Sequence, residues 1–170
     1  PRSILKGVKK LPPAHHLTVR RGVPVPEPQA YWDVRFAEGG PRPDEGEAGE
    51  ELAERLGDSV AIRRIADVPV GAFLSGGVDS SAVVAMLARS SEEAVRTCSI
   101  SFGDPRFNEA SHAAQVAERY GTDHRVQEVS PEDFDLVDRL AGIYDEPFAD
   151  SSAMPTYRVC EQARKRVPVA

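Results

Sequence analysis

From residue 68 to the end of the chain, apolar runs alternate with segments whose apolar positions recur at helical spacing. The runs at 69–74, 95–102 and 123–129 predict strands, and the segments at 80–89, 108–120 and 154–166 predict helices. A further helix is predicted from Pro131, with Ser130 as its cap, to Tyr144, and residues 167–170 read as a last strand. Ahead of these, Leu52, Leu56, Val60, Ile62 and Ile65 mark an amphipathic helix from 44 to about 66. Its many acidic residues, among them Asp44, Glu45, Glu47 and Glu50, read as a solvated face at a helix N-terminus rather than a metal site.

Strands alternating with helices predict an α/β fold, a parallel sheet covered by helices on both faces. Residues 1–43 break that rhythm. Pro12, Pro13, Pro24, Pro26, Pro28, Gly39, Gly40 and Pro41 forbid long helices there and predict an extended interdomain arm with short strands. Within it, residues 17–22 are expected to form one strand of a small hairpin, and Tyr31-Trp32 to dock the arm on the core. The chain therefore divides into an arm at 1–43 and an α/β domain at 44–170, with no internal repeat.

Composition narrows the class without naming a chemistry. The 170 residues are 41% apolar and 28% charged, the balance of a globular protein able to bury one sizeable core. A net charge of −6 with no arginine-lysine block disfavours nucleic acid as a partner. No run approaches a membrane span, and the N-terminus lacks the plan of a signal peptide. Cys98 and Cys160 are far apart in sequence and read as buried thiols in a reducing cytosol, so a cytoplasmic protein is expected. The chain starts at Pro1 and stops within its last predicted strand, which reads as a truncated piece of a longer protein.

The chemistry concentrates at Ser75-Gly76-Gly77-Val78-Asp79-Ser80-Ser81, between the strand at 69–74 and the helix that follows. Two glycines let the backbone approach an anion with no Cβ in the way. The helix start then offers unpaired N–H groups and the positive end of its dipole. Asp79 is placed either to cap the helix or to hold a Mg²⁺ that bridges phosphates. No Gly-Lys-Ser/Thr follows, which excludes a Walker A loop. Nor does a histidine–carboxylate pair accompany Ser75, so covalent catalysis by that serine is not expected.

A Ser-Gly-Gly-x-Asp-Ser-Ser turn after a buried strand resembles the PP-loop of ATP pyrophosphatases, the adenine nucleotide alpha hydrolase-like fold. The rest of the chain narrows the resemblance. Lys9-Lys10-Leu11-Pro12-Pro13-Ala14-His15, with Tyr31-Trp32 after it, is similar to the segment that opens the synthetase domain of class B, glutamine-hydrolysing asparagine synthetases. Ala14 departs from that family's usual glycine. Phe107-Asn108-Glu109, followed by Ala113, Ala117 and Gly121-Thr122-Asp123-His124, resembles the family's second βα unit, and Asp145-Glu146-Pro147-Phe148-Ala149-Asp150-Ser151-Ser152, then Pro155 and Tyr157, its Asp-Glu-Pro segment.

The resemblance implies a ligase of asparagine and amino-acid biosynthesis. Such an enzyme activates the aspartate side chain with MgATP as β-aspartyl-adenylate, releasing pyrophosphate, and ammonia from glutamine then displaces AMP. By resemblance Ser75, Gly76, Gly77, Val78, Asp79, Ser80 and Ser81 hold the triphosphate, Asp79 joins Mg²⁺, and Leu74 and Ile100 contact the adenosine. Apolar residues at strand ends are ordinarily core, so contact at Leu74 and Ile100 is expected through the backbone. Asp145, Glu146 and Asp150 are candidates to line the aspartate or magnesium pocket, each with a helix cap or a solvated charge as the competing role. No residue of the chain matches the glutaminase cysteine or the family's second Ser-Gly-x-Gly-x-Asp-Glu loop. The implied glutaminase domain and the main catalytic acids therefore fall outside it, no residue here is assigned as catalytic, and the piece alone is expected to be inactive. A homodimeric parent is compatible with the resemblance. Two alternatives stay open: a related amidotransferase adenylating another carboxylate, as in β-lactam synthetases or polysaccharide-modifying enzymes, and a nucleotide-binding module without catalysis. Of the histidines, His112 reads as surface, His124 as structural, and His15 and His16 lack metal-ligand spacing.

Overall fold

In the computed structural model the described residues are 2–36, 39–40, 42–104, 106, 108–129 and 136–170. They fall into two compact units, residues 1–42 and 43–170.

In the first unit, β1 (His15–His16) pairs antiparallel with β2 (Gln29–Ala30), His15 opposite Ala30. Residues 17–22 do not form the expected strand; the chain turns there, with the Val23 N–H donating to the Arg20 carbonyl at 3.2 Å. The prolines at 24, 26 and 28 lack the N–H groups that a ladder on 17–22 would need. Ala14 adopts φ 54, and its carbonyl accepts from the Tyr31 N–H at 2.9 Å. This left-handed conformation suits glycine, which explains why a glycine is usual at the position where Ala14 departs from the family pattern. Within this unit Tyr31 lies beside the His16 ring, 6.3 Å between centroids.

The second unit opens with α1 (Glu45–Arg63), set by a reciprocal cap. The Asp44 carboxylate accepts from the Glu47 N–H at 2.9 Å, and the Glu47 carboxylate accepts from the Asp44 N–H at 3.3 Å. Then come β3 (Gly71–Phe73), α2 (Val78–Arg89), β4 (Arg96–Phe102), α3 (Ala110–Tyr120), β5 (Asp123–Val129), α4 (Leu136–Ala141) and α5 (Ala153–Arg164). Described residues place β3, β4 and β5 in one parallel sheet in that order, with Phe73 opposite Cys98 and Phe102 opposite Val129. The last predicted strand appears as a single parallel bridge, Val169 to Val70, on the outer side of β3. There β3 is tightly flanked: a Cβ on Gly71 would lie 2.9 Å from the Arg96 carbonyl and from Val167.

Alternate residues of each strand face opposite sides of the sheet. Ala72 and Leu74 pack with Val60 of α1, Val84 and Leu87 of α2, and Ala113 and Ala117 of α3. Cys98 points the other way and packs with Ala163 of α5 and Val167. Helices thus cover both faces. Burial pushes the Cys98 thiol up despite the lowering effect of Arg166. Cys160, also expected to be buried, is exposed. The expected cap Ser130 and helix start at Pro131 lie outside the described residues. No described helix is long and apolar enough to cross a membrane.

Candidate nucleotide site at the strand ends

β3 ends at Phe73, and the chain turns through Ser75, Gly76 and Gly77 into α2. Gly76 adopts φ 85, a left-handed conformation, and a Cβ there would lie 2.7 Å from the Ala113 nitrogen of α3. Glycine is therefore required twice over, by dihedral and by space. Gly77 is the N-cap residue of α2 and makes no side-chain cap, so the first turn keeps N–H groups free to meet an anion.

The two serines brace the turn. Ser75 Oγ accepts from the Gly77 N–H at 3.2 Å and lies 2.9 Å from Ser80 Oγ. Ser80 Oγ in turn accepts from the Ser75 N–H at 3.2 Å and donates to the Gly77 carbonyl at 3.2 Å. Val78 and Asp79 are exposed on the first turn, the end of the helix that favours a carboxylate. Ser81 Oγ is buried and has no hydrogen-bond partner among the described residues.

A cavity of about 360 Å³ adjoins this turn at the carboxyl ends of β3 and β4, the end of a parallel sheet where ligands bind. Leu74, Ser75 and Ile100 all line it. The Leu74 side chain is fully buried in the core, and its N–H donates to the Cys98 carbonyl at 2.9 Å. Only its backbone remains to meet a ligand. The opposite wall is α5, through Ser152, Thr156 and Val159, and Glu109 contributes a carboxylate. Sequence assigns none of these four to the site, although Glu109 stands in the Phe107-Asn108-Glu109 motif and Ser152 in the Asp-Glu-Pro segment; nothing in the helical pattern of 154–166 marks Thr156 or Val159.

Asp145, Glu146 and Asp150 do not line this cavity. Asp145 and Asp150 are exposed and Glu146 is half-buried. Asp150 turns its carboxylate back on the chain, accepting from the Ser152 N–H at 2.8 Å. That backbone hydrogen bond, with a second from the Ser152 side chain, holds its carboxyl below the usual carboxylate range. Tyr144 and Phe148 stack across the same segment, 4.2 Å between centroids. No group of three or more potential metal ligands occurs among the described residues.

Behind the site, His124 joins β5 to β4. Its Nδ1 lies 2.9 Å from Thr97 Oγ1, and its Nε2 lies 3.2 Å from Ser99 Oγ. Burial, with the Arg166 charge adding to it, holds the imidazole below its ordinary pKa. Two hydroxyls occupy its two ring nitrogens, an arrangement that suits a neutral structural histidine.

Comparison with known proteins places this geometry in context. A family model described as asparagine synthase matches residues 51–170. The glutamine-hydrolysing asparagine synthetase 1 of Bacillus subtilis is 32% identical over 164 residues, 96% of this chain and 25% of that one. A Methanocaldococcus jannaschii protein with the provisional name glutamine-hydrolysing asparagine synthetase 2 is 40% identical over 141 residues, 82% of this chain and 27% of that one. The amidase chry2 of Gibberella zeae is 39% identical over 87 residues, 50% of this chain and 13% of its own length. Among solved structures, the NH3-dependent NAD synthetase from Campylobacter jejuni superposes with a TM-score of 0.48 at 13% identity, over 69% of this chain and 52% of that one. The chain spans about a quarter of the length of the asparagine synthetases it matches.

Proposed function

The chain belongs to the asparagine synthase family, and from that premise we propose that it forms the nucleotide-binding part of an ATP-dependent, amide-forming ligase. In this reading the parent enzyme adenylates the side-chain carboxylate of aspartate, releasing pyrophosphate, and ammonia drawn from glutamine replaces AMP to give asparagine. One observation carries the reading: the Ser75–Gly76–Gly77 turn, the free first turn of α2 and the cavity lined by Leu74 and Ile100 share one strand end. The cavity suits an adenosine and the turn suits its phosphates.

Each residue has a defined task. Gly76 lets the backbone bend toward the phosphates, and the α2 first turn donates N–H groups to them. The Ser75–Ser80 hydroxyl pair holds the turn in that shape before any ligand arrives, so little ordering remains at binding. Asp79 is the residue that fits a Mg²⁺, and among the described residues no cage of further acids surrounds it. An ion of this kind is commonly held by one or two carboxylates together with substrate phosphates and water. When bound, Mg²⁺ neutralises charge on the phosphates. We place Asp145, Glu146 and Asp150 at the outer edge of the acceptor pocket and residues 1–43 as the arm leading from a glutaminase domain. The free cysteines suit a cytoplasmic setting.

The test is to incubate the full-length enzyme with ATP, Mg²⁺, aspartate and ammonium and resolve the nucleotides. AMP and pyrophosphate are expected; ADP as the main product overturns the reading. The likeness to an amidase over half of the chain supports a second reading, in which the same adenylation serves another carboxylate. Pyrophosphate release that depends on a carboxylate other than aspartate would establish it.

A further inference from the structure

The 75–81 loop meets α3 at Gly76, and the α3 residue there is a histidine. A Cβ built on Gly76 would lie 2.7 Å from His112 Cβ, so the His112 side chain leaves α3 directly beside the turn. His112 itself is exposed, whereas Ala113 next to it is fully buried, which puts the imidazole in solvent at the loop rather than in the core. Sequence alone places this histidine on a helix surface with no task. Only the packing of α3 on Gly76 brings it to the turn.

The loop has a deficit that such a neighbour would fill. Residues 75–81 contain no lysine or arginine, so the turn's own contribution to a polyanion is limited to backbone N–H groups and hydroxyls. We propose that His112 is a phosphate-binding residue, its imidazole N–H donating to phosphate oxygens of the nucleotide seated on the loop. This rests on the nucleotide reading above. The residue stands in the first turn of α3. The ring carries an N–H donor in either protonation form, so the contact does not depend on its charge.

The experiment titrates MgATP and adenosine separately into the full-length protein and its His112→Ala and His112→Gln variants, by calorimetry at one pH. His112→Ala should weaken MgATP binding about tenfold, the scale of one hydrogen bond to a charged group, and leave adenosine binding unchanged. His112→Gln keeps an N–H donor and should stay within about threefold of the parent. Unchanged MgATP affinity in His112→Ala overturns the proposal. So does an equal loss for MgATP and adenosine, which would mean that His112 only supports the packing of α3 on Gly76. If the unaltered protein binds no MgATP at all, the nucleotide reading itself fails, a result distinct from either.

Discussion

The turn at 75–81 and the segment at 145–150 both carry acidic side chains, yet they are built differently. In the turn, neighbours determine the backbone: α3 presses on Gly76, Ser75 and Ser80 brace each other, and α2 starts without a side-chain cap. In the segment three acids stand within six residues, but Asp145 and Asp150 are exposed and the Asp150 carboxylate is occupied by Ser152. Charge is concentrated in the segment, whereas constraint of the main chain and an uncapped helix start are concentrated in the turn.

The sharpest way to break this comparison is Gly76→Val. A β-branched residue at φ 85, with α3 backbone where its Cβ would sit, should cost about 3 kcal/mol of stability and remove MgATP binding. Thermal unfolding and calorimetry of the full-length protein check both; a variant that melts and binds normally would mean the turn is not constrained as described. Asp79→Asn comes next. It keeps the size and a hydrogen-bond acceptor but removes the charge, so pyrophosphate release at saturating Mg²⁺ should fall roughly 10²–10³-fold with an unchanged melting temperature. Turnover near normal would reduce Asp79 to a helix-end charge. Asp150→Asn should do far less, within about twofold in turnover, since it retains an oxygen for the Ser152 N–H. A loss as large as that of Asp79→Asn would move Asp150 from the edge of the acceptor pocket to the reacting groups.

The smallest effect is a difference in pH response. His124 is held below the ordinary histidine value of about 6.5 by burial. Its neutral form is thus favoured on folding, and that contribution is complete above pH 6.5 and lost as pH falls below it. Asp150 is held below the ordinary aspartate value of about 3.9 by hydrogen bonds. Its contribution is present above that value and lost only as pH falls through the lowered one. Melting temperature measured from pH 7.5 to 4.5 should therefore decline, and less steeply in His124→Gln, while Asp150→Asn should follow the parent across the same range.

Much of the α/β unit was legible along the chain. β5 begins and ends where the sequence pattern places it, β4 starts one residue later than expected, and α2 extends two residues closer to the turn. These elements are local: periodicity and a glycine turn specify them without reference to distant residues. In the arm, a strand needs a partner from elsewhere along the chain, and the pairing joins His15–His16 with Gln29–Ala30 rather than using the 17–22 stretch. Burial of single side chains was legible only in part, as the exposed Cys160 attests.

By itself the sequence determined that a strand, a glycine turn with an aspartate and a helix follow one another, because that order resides in seven consecutive residues and their immediate flanks. Tertiary structure alone decided what surrounds the turn. Ser152 and Thr156 of α5 wall the cavity, and His112 of α3 stands beside Gly76. Those residues lie tens of positions away, and only the burial of two apolar faces against one sheet brings them to the same strand end.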